Sequence, residues 1–179
     1  MLLERDRSQL LMVDVQERLL PAMSDPVSIV ENGGRLLGAA RTLAVPAVVS
    51  EQYPAGLGHT VPQLATLAPA NAIHEKLEFS CFASPALRAT LSGAERQTVI
   101  FGIEAHVCVL QTAIEMVVAE HDVTVVVDAI GSRAPESKKI ALRRMQDAGV
   151  RLATTEMILF EWLRRAGTPE FKTISRLIR

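Results

Sequence analysis

Short runs of consecutive apolar residues, each closed by a polar residue or a glycine, alternate along this chain with stretches whose apolar positions recur every three or four residues. The first run, Gln9-Leu10-Leu11-Met12-Val13-Asp14-Val15, is apolar on both faces, as a central parallel strand must be. Asp25-Pro26 then offers an N-cap with proline at the first helical position, and Ile29, Leu36, Leu37, Ala40 and Leu43 carry an apolar face to about Ala44. Further strands are predicted over 46–50, 71–75 (a weak run leading into Lys76), 98–102, 123–128 and 150–154. Helices are predicted over 85–91, from Cys108 onward through Ala113, Met116, Val117 and Ala119, over 135–148 with Gly149 at the C′ position, over 156–166 and from Pro169 to the end. The alternation predicts a three-layer α/β fold: a six-stranded, mainly parallel sheet of order 3-2-1-4-5-6 with helices on both faces, in a single domain spanning 1–179.

One junction carries a reactive residue. In Gln97 to Gln111 a β-rich run stops at Gly102, a helix opens, and Cys108 falls in its expected first turn. Unpaired amides and the positive end of the helix dipole at such a place lower a cysteine pKa and can stabilise an oxyanion. Ligands of doubly wound sheets bind at the carboxyl ends of the strands, near the point where strand order reverses. Asp14 ends the first strand, Lys76 follows the third and Cys108 follows the fourth, so a base, a cation and a thiol converge on one sheet edge. Each alone is commonplace. Together they suit nucleophilic cysteine chemistry, Asp14 taking the thiol proton while Lys76 favours the thiolate and steadies the carboxylate. The long loop 51–62, with Gln52, Tyr53, Gly56, Gly58 and His59, is a second expected contributor.

Composition narrows the setting. The apolar fraction is 49% against 22% charged residues, a surplus often hidden between subunits, so a homo-oligomer is expected. The formal charge of −1, from 19 basic and 20 acidic residues, leaves no nucleic-acid footprint; Arg164-Arg165 and Arg176–Arg179 read as a solvated helix face. Two cysteines are too few for a disulfide framework, and Cys81 reads as a buried thiol. The chain opens on Glu4, Arg5, Asp6 and Arg7 rather than a signal sequence, and no apolar run approaches the roughly 18 to 20 residues that span a bilayer. A cytoplasmic protein with a small-molecule substrate and no membrane partner is the expectation.

Four stretches in order, Leu11-Met12-Val13-Asp14-Val15-Gln16, Glu75-Lys76 with Phe79-Ser80, Gly102-Ile103-Glu104-Ala105-His106-Val107-Cys108-Val109 and Asp128-Ala129-Ile130-Gly131-Ser132-Arg133, resemble the isochorismatase-like cysteine hydrolases, a superfamily that includes nicotinamidase and N-carbamoylsarcosine amidase. Within it the wording, with Ser50-Glu51-Gln52-Tyr53-Pro54 upstream, looks most like the isochorismatase-domain-containing group. The resemblance implies a catalytic triad of Asp14 (general base and acid), Lys76 (electrostatic organiser) and Cys108 (nucleophile). It also implies a cis peptide at Ile103–Glu104 and an oxyanion hole from the backbone N–H groups of Glu104 and Cys108. Gln16, Tyr53, Phe79 and His106 are the expected substrate contacts; Phe82 is a possible wall, while His74 and His121 read as structural or surface.

Where nicotinamidases carry an Asp-x-His and a further histidine that hold a metal, this chain has Glu51-Gln52-Tyr53 and only His59, so no metal and no other cofactor is expected. The resemblance thus implies metal-independent hydrolysis of a small amide, ureido or imide compound through a thioester. Two alternatives stay open: vinyl-ether hydrolysis by protonation from Asp14, as in the isochorismate-cleaving branch, and an idle interaction protein that keeps the fold. A phosphoacceptor signalling domain fits poorly, since no aspartate ends the third strand.

Overall fold

The computed structural model describes residues 1–91, 93 and 95–178. In chain order its elements are β1 (Ser8–Val13), α1 (Pro26–Leu43), β2 (Ala47–Gln52), α2 (Pro54–Leu57), α3 (Pro62–Ala65), β3 (Ile73–Lys76), α4 (Pro85–Thr90), β4 (Gln97–Ile103), α5 (Leu110–Val118), β5 (Asp122–Gly131), α6 (Pro135–Asp147), β6 (Arg151–Ala153), α7 (Thr155–Leu163) and α8 (Pro169–Ile174). The strands form one six-stranded sheet in the expected order, β3-β2-β1-β4-β5-β6, with each neighbouring pair parallel.

All six residues of β1 are buried, and the alternation of its side chains divides the core. Leu10 and Met12 join Phe101, Trp162 and the apolar faces of α1 and α7 on one side of the sheet. Leu11 and Val13 join Ile100, Leu87, Met116 and Met145, from α4, α5 and α6, on the other. The Asp25 side chain accepts a hydrogen bond from Ser28 N–H at 3.1 Å and starts α1 one residue before Pro26, a cap worth about 1 kcal/mol. Strand order reverses between β1 and β4, so the connections leaving their carboxyl ends diverge there.

Gly102 permits the closest approach on that edge. Its φ of 121° suits glycine, and a Cβ there would lie 2.1 Å from Val13 O and 2.7 Å from Val13 N. The register of β4 against β5 shifts between Ile100 and Gly102, so β4 is bent just before the junction that carries Cys108.

The sequence-predicted boundaries differ in five places. Lys76 is the last residue of β3 rather than part of the following loop, and β5 runs on to Gly131. The loop 51–62 begins with the end of β2, contains the single-turn helix α2 and leads into a second, α3, each helix opened by a proline. Helix α7 stops at Leu163, where Arg164 takes a left-handed conformation, and α8 stops at Ile174. Arg179, the end of the basic C-terminal stretch, lies outside the described residues. Among the described residues no helix is long and apolar enough to cross a membrane.

Candidate active site

Asp14 follows the last residue of β1, and plain strand alternation would send its side chain to the α1 side, beside Met12. Its backbone instead turns left-handed, with φ 53°, and Gln16 N–H closes back on Asp14 O at 2.8 Å. Aspartate tolerates that region better than most residues. The carboxylate thereby reaches the opposite face, where Ser50 Oγ donates to Oδ1 at 2.6 Å and Lys76 Nζ donates to Oδ2 at 2.8 Å. Neither the Lys76 nor the Asp14 side chain has exposed surface.

Lys76 arrives from the edge strand. The register pairs it with Gln52, which places the two side chains on one face, and Gln52 Oε1 accepts from Nζ at 2.7 Å. The carbonyls of Glu78 and Phe79, each 3.2 Å from Nζ, complete the cage. Burial works to lower the Lys76 pKa, but the Asp14 carboxylate together with Cys81 and Cys108 outweighs it, and the ammonium is held above its ordinary value.

Cys108 lies in a π-helical turn, Ala105–Val109, that leads into α5. Val109 N–H reaches Glu104 O at 3.2 Å, and the helical path begins at Ala105, three residues before the cysteine rather than at it. The thiol is buried, and the Asp14 carboxylate acts on it. Its pKa is displaced upward, first by burial and then by the Asp14 charge, with Lys76 acting in the opposite direction. This corrects the sequence expectation of a thiol lowered by the helix terminus: burial, followed by the Asp14 charge, favours the protonated sulfur. The peptide bond between Ile103 and Glu104 is cis. The Glu104 carboxylate accepts from Arg133 Nε at 2.8 Å, and His106 Nδ1 sits 2.9 Å from Ser132 Oγ.

The other expected contacts divide. Gln16 is buried, and its carboxamide is committed to the protein: Nε2 donates to Gln52 O at 2.9 Å and to Gly58 O at 2.7 Å, while Oε1 accepts from Gln52 N–H at 2.8 Å. It braces the loop after β2. Tyr53 is exposed and, with Pro54, Lys76 and Leu77, lines a surface cavity of about 420 Å³ beside β3. Phe79 has an exposed ring and contributes its carbonyl to Lys76. Phe82 packs edge-on to His121, with ring centroids 5.1 Å apart.

Glu51 points to neither Asp14 nor Cys108. Its carboxylate accepts from Thr60 N–H at 2.6 Å and Thr60 Oγ1 at 2.7 Å, and lies 3.0 Å from His59 Nδ1. Burial works to raise the Glu51 pKa, yet these donors hold it below its ordinary value of 4.5, while the Glu51 hydrogen bond raises His59. Among the described residues no group of three or more His, Cys, Asp or Glu side chains is arranged to hold a metal ion.

Sequence reading missed Ser50 and Cys81 as neighbours of the site and placed Gln52 only within the long loop. Ser50 and Gln52 are two apart at the carboxyl end of β2 and so share a face with Lys76, a parity that could have found them. Cys81 Sγ lies 3.3 Å from Ser50 Oγ, and burial, followed by the Asp14 charge, pushes its thiol pKa up to about 11.

Comparison with known proteins agrees with this geometry. Residues 8–157 match the isochorismatase domain family model. The chain is 39% identical over 168 residues to isochorismatase domain-containing protein 1 of Danio rerio, covering 93% of this chain and 59% of that protein. It thus spans under two thirds of that relative's length. It is 37% identical over 174 residues to isochorismatase domain-containing protein 2 of the same organism, covering 96% of this chain and 86% of that one. Among solved structures, one described as the MAR1 ribonuclease of Caenorhabditis elegans superposes with a TM-score of 0.93 at 37% identity, over 99% of this chain and 92% of that one.

Proposed function

The chain belongs to the isochorismatase family, and from that premise we propose that it is a cysteine-dependent hydrolase of a small amide, ureido or imide compound. The observation that carries the proposal is the water-excluded Asp14–Lys76 pair, whose charges act on the buried Cys108 thiol. Because the resting thiol is protonated, its proton moves to Asp14 as sulfur attacks the substrate carbonyl and the C–S bond forms. The carbonyl oxygen takes up the negative charge, and the backbone N–H groups of Glu104 and Cys108 are its proposed partners. Asp14 then returns the proton to the departing nitrogen as the C–N bond breaks, leaving a thioester. Water, deprotonated by Asp14, adds to the thioester; the acid leaves and sulfur recovers its proton. Lys76 balances the carboxylate throughout. No step calls for a metal or an organic cofactor.

Buried reactive groups suit a small-molecule substrate, with Tyr53, Phe79 and His106 the candidates for substrate contact. The exposed side chains of Tyr53, Leu77 and Phe79 beside the edge strand support the further proposal of a homo-oligomer, which light scattering of the purified protein tests.

The neutral state of the thiol favours one second reading, vinyl-ether hydrolysis in which Asp14 protonates the substrate and Cys108 takes no part. A screen of amides, ureido acids, imides and vinyl ethers, following ammonia, amine or enol release, separates the two when Cys108→Ala and Asp14→Asn are assayed alongside. Loss of turnover in both variants supports the thioester route; turnover that survives Cys108→Ala but not Asp14→Asn supports the second. A short RNA belongs in the same screen because of the description given to the nematode structure, and cleavage by wild type but not by Asp14→Asn would contradict the small-molecule reading.

A further inference from the structure

Resting on the hydrolase reading above, we propose that Ser50 is a positioning residue for Asp14 and that Cys81 in turn orients Ser50. Ser50 has a single hydroxyl proton and two close partners, Asp14 Oδ1 at 2.6 Å and Cys81 Sγ at 3.3 Å. An ionised carboxylate can only accept, so the Ser50 proton goes to Asp14 and the hydroxyl oxygen is left to accept from the Cys81 S–H. Cys81 is fixed by its own backbone, whose N–H donates to Thr112 Oγ1 at 2.8 Å, and with its pKa near 11 it stays a donor at neutral pH. All three side chains are buried.

The consequence is geometric. Lys76 holds Oδ2 and Ser50 holds Oδ1, so the carboxylate plane is clamped at both oxygens while it faces Cys108. A single clamp would leave the group free to rotate about its Cβ–Cγ bond. The titratable groups that act on this carboxylate are Lys76 from β3, Cys81 from the segment before α4 and Cys108 from the π-helical turn. Ser50 adds a donor to Oδ1 without adding a charge. Removing it destabilises the ionised form and therefore raises the pH at which Asp14 takes up a proton.

Two measurements test this on the intact protein. The Asp14 carboxyl is titrated by ¹³C NMR in a Cys108→Ala background, where no nucleophile is needed, with and without Ser50→Ala. Ser50→Ala is expected to move the Asp14 midpoint up by about one pH unit, and Ser50→Thr, which keeps the hydroxyl, to leave it in place. In parallel, alkylation of Cys108 by iodoacetamide, located by mass spectrometry, is followed against pH; its acid limb should shift in the same direction in Ser50→Ala and return in Ser50→Thr. An unchanged Asp14 midpoint in a folded Ser50→Ala protein overturns the proposal. If that variant does not fold, Ser50→Cys keeps the volume with a weaker donor, and absence of an upward shift there overturns it equally. Cys81→Ala should give a smaller shift of the same sign, and none would remove Cys81 from the relay. A shifted Asp14 midpoint with an unreactive Cys108 would leave the Ser50 assignment standing while the hydrolase reading fails.

Discussion

Lys76 and Asp14 form an ion pair from which water is excluded, Nζ lying 2.8 Å from Oδ2 with neither side chain exposed. Removing one partner strands the other charge in the interior, so Lys76→Met is expected to lower stability by about 3–5 kcal/mol, and Asp14→Asn in the same chain to restore part of it. Urea denaturation of the single and double variants reads this directly. Equal midpoints for wild type and Lys76→Met would contradict the buried pair.

Cys108 should react with iodoacetamide well ahead of Cys81. Both thiols are buried, but only Cys108 touches Asp14 itself, whereas Cys81 reaches it through Ser50. Peptide mapping after timed labelling is expected to show at least tenfold preference, on the order of 1.4 kcal/mol in barrier. Slow labelling of both at one rate would support the idle interaction protein instead.

The acid side of stability should depend on Glu51. Its folded pKa lies below the ordinary 4.5, so the unfolded chain binds the proton first as pH falls. The stabilisation is complete above about 4.5 and is lost as pH drops through the folded value. Glu51→Gln should lower stability by about 1–2 kcal/mol near neutrality, a fall in Tm of roughly 2–8 °C, and the difference from wild type should shrink below pH 4. A constant difference across that range would count against the carboxylate as its source.

Gly102→Ala should be among the most damaging single changes in the chain. Its φ of 121° disfavours a side chain, and the added Cβ would meet backbone atoms of Val13 at 2.1 Å and 2.7 Å, which cannot move without parting β1 from β4. A loss above about 3 kcal/mol is expected from denaturant unfolding. A variant within about 0.5 kcal/mol of wild type would show that the two strands can separate at little cost.

The sheet was legible because its central strands carry their own signal. β1 is buried at every position, and a run apolar on both faces has few other readings. The edge strand was harder: β3 buries only Lys76 fully, in the pattern exposed, intermediate, exposed, buried, so neither its extent nor the place of the lysine within it could be read from hydropathy. Asp14, Lys76 and Cys108 were recognisable as a set because each lies at or just beyond the carboxyl end of a strand, where the topology converges. Ser50 was hidden by ending an apolar run in the way any strand ends. The upward displacement of the Cys108 pKa was equally out of reach, since it depends first on how deeply the thiol is buried and then on a left-handed turn at Asp14 that brings the carboxylate to its face of the sheet.

The cage around Lys76 also bears on how the molecule breathes. Edge strands as short as β3 ordinarily fray, and their amides exchange with solvent through small local openings. Here Nζ has three protons and four acceptors, from Asp14, Gln52, Glu78 and Phe79, so detaching the carboxyl end of β3 would abandon a buried carboxylate as well as a few ladder bonds. The edge therefore opens only with the centre, and hydrogen exchange at its last amides should follow the rates of the interior strands rather than those of a periphery.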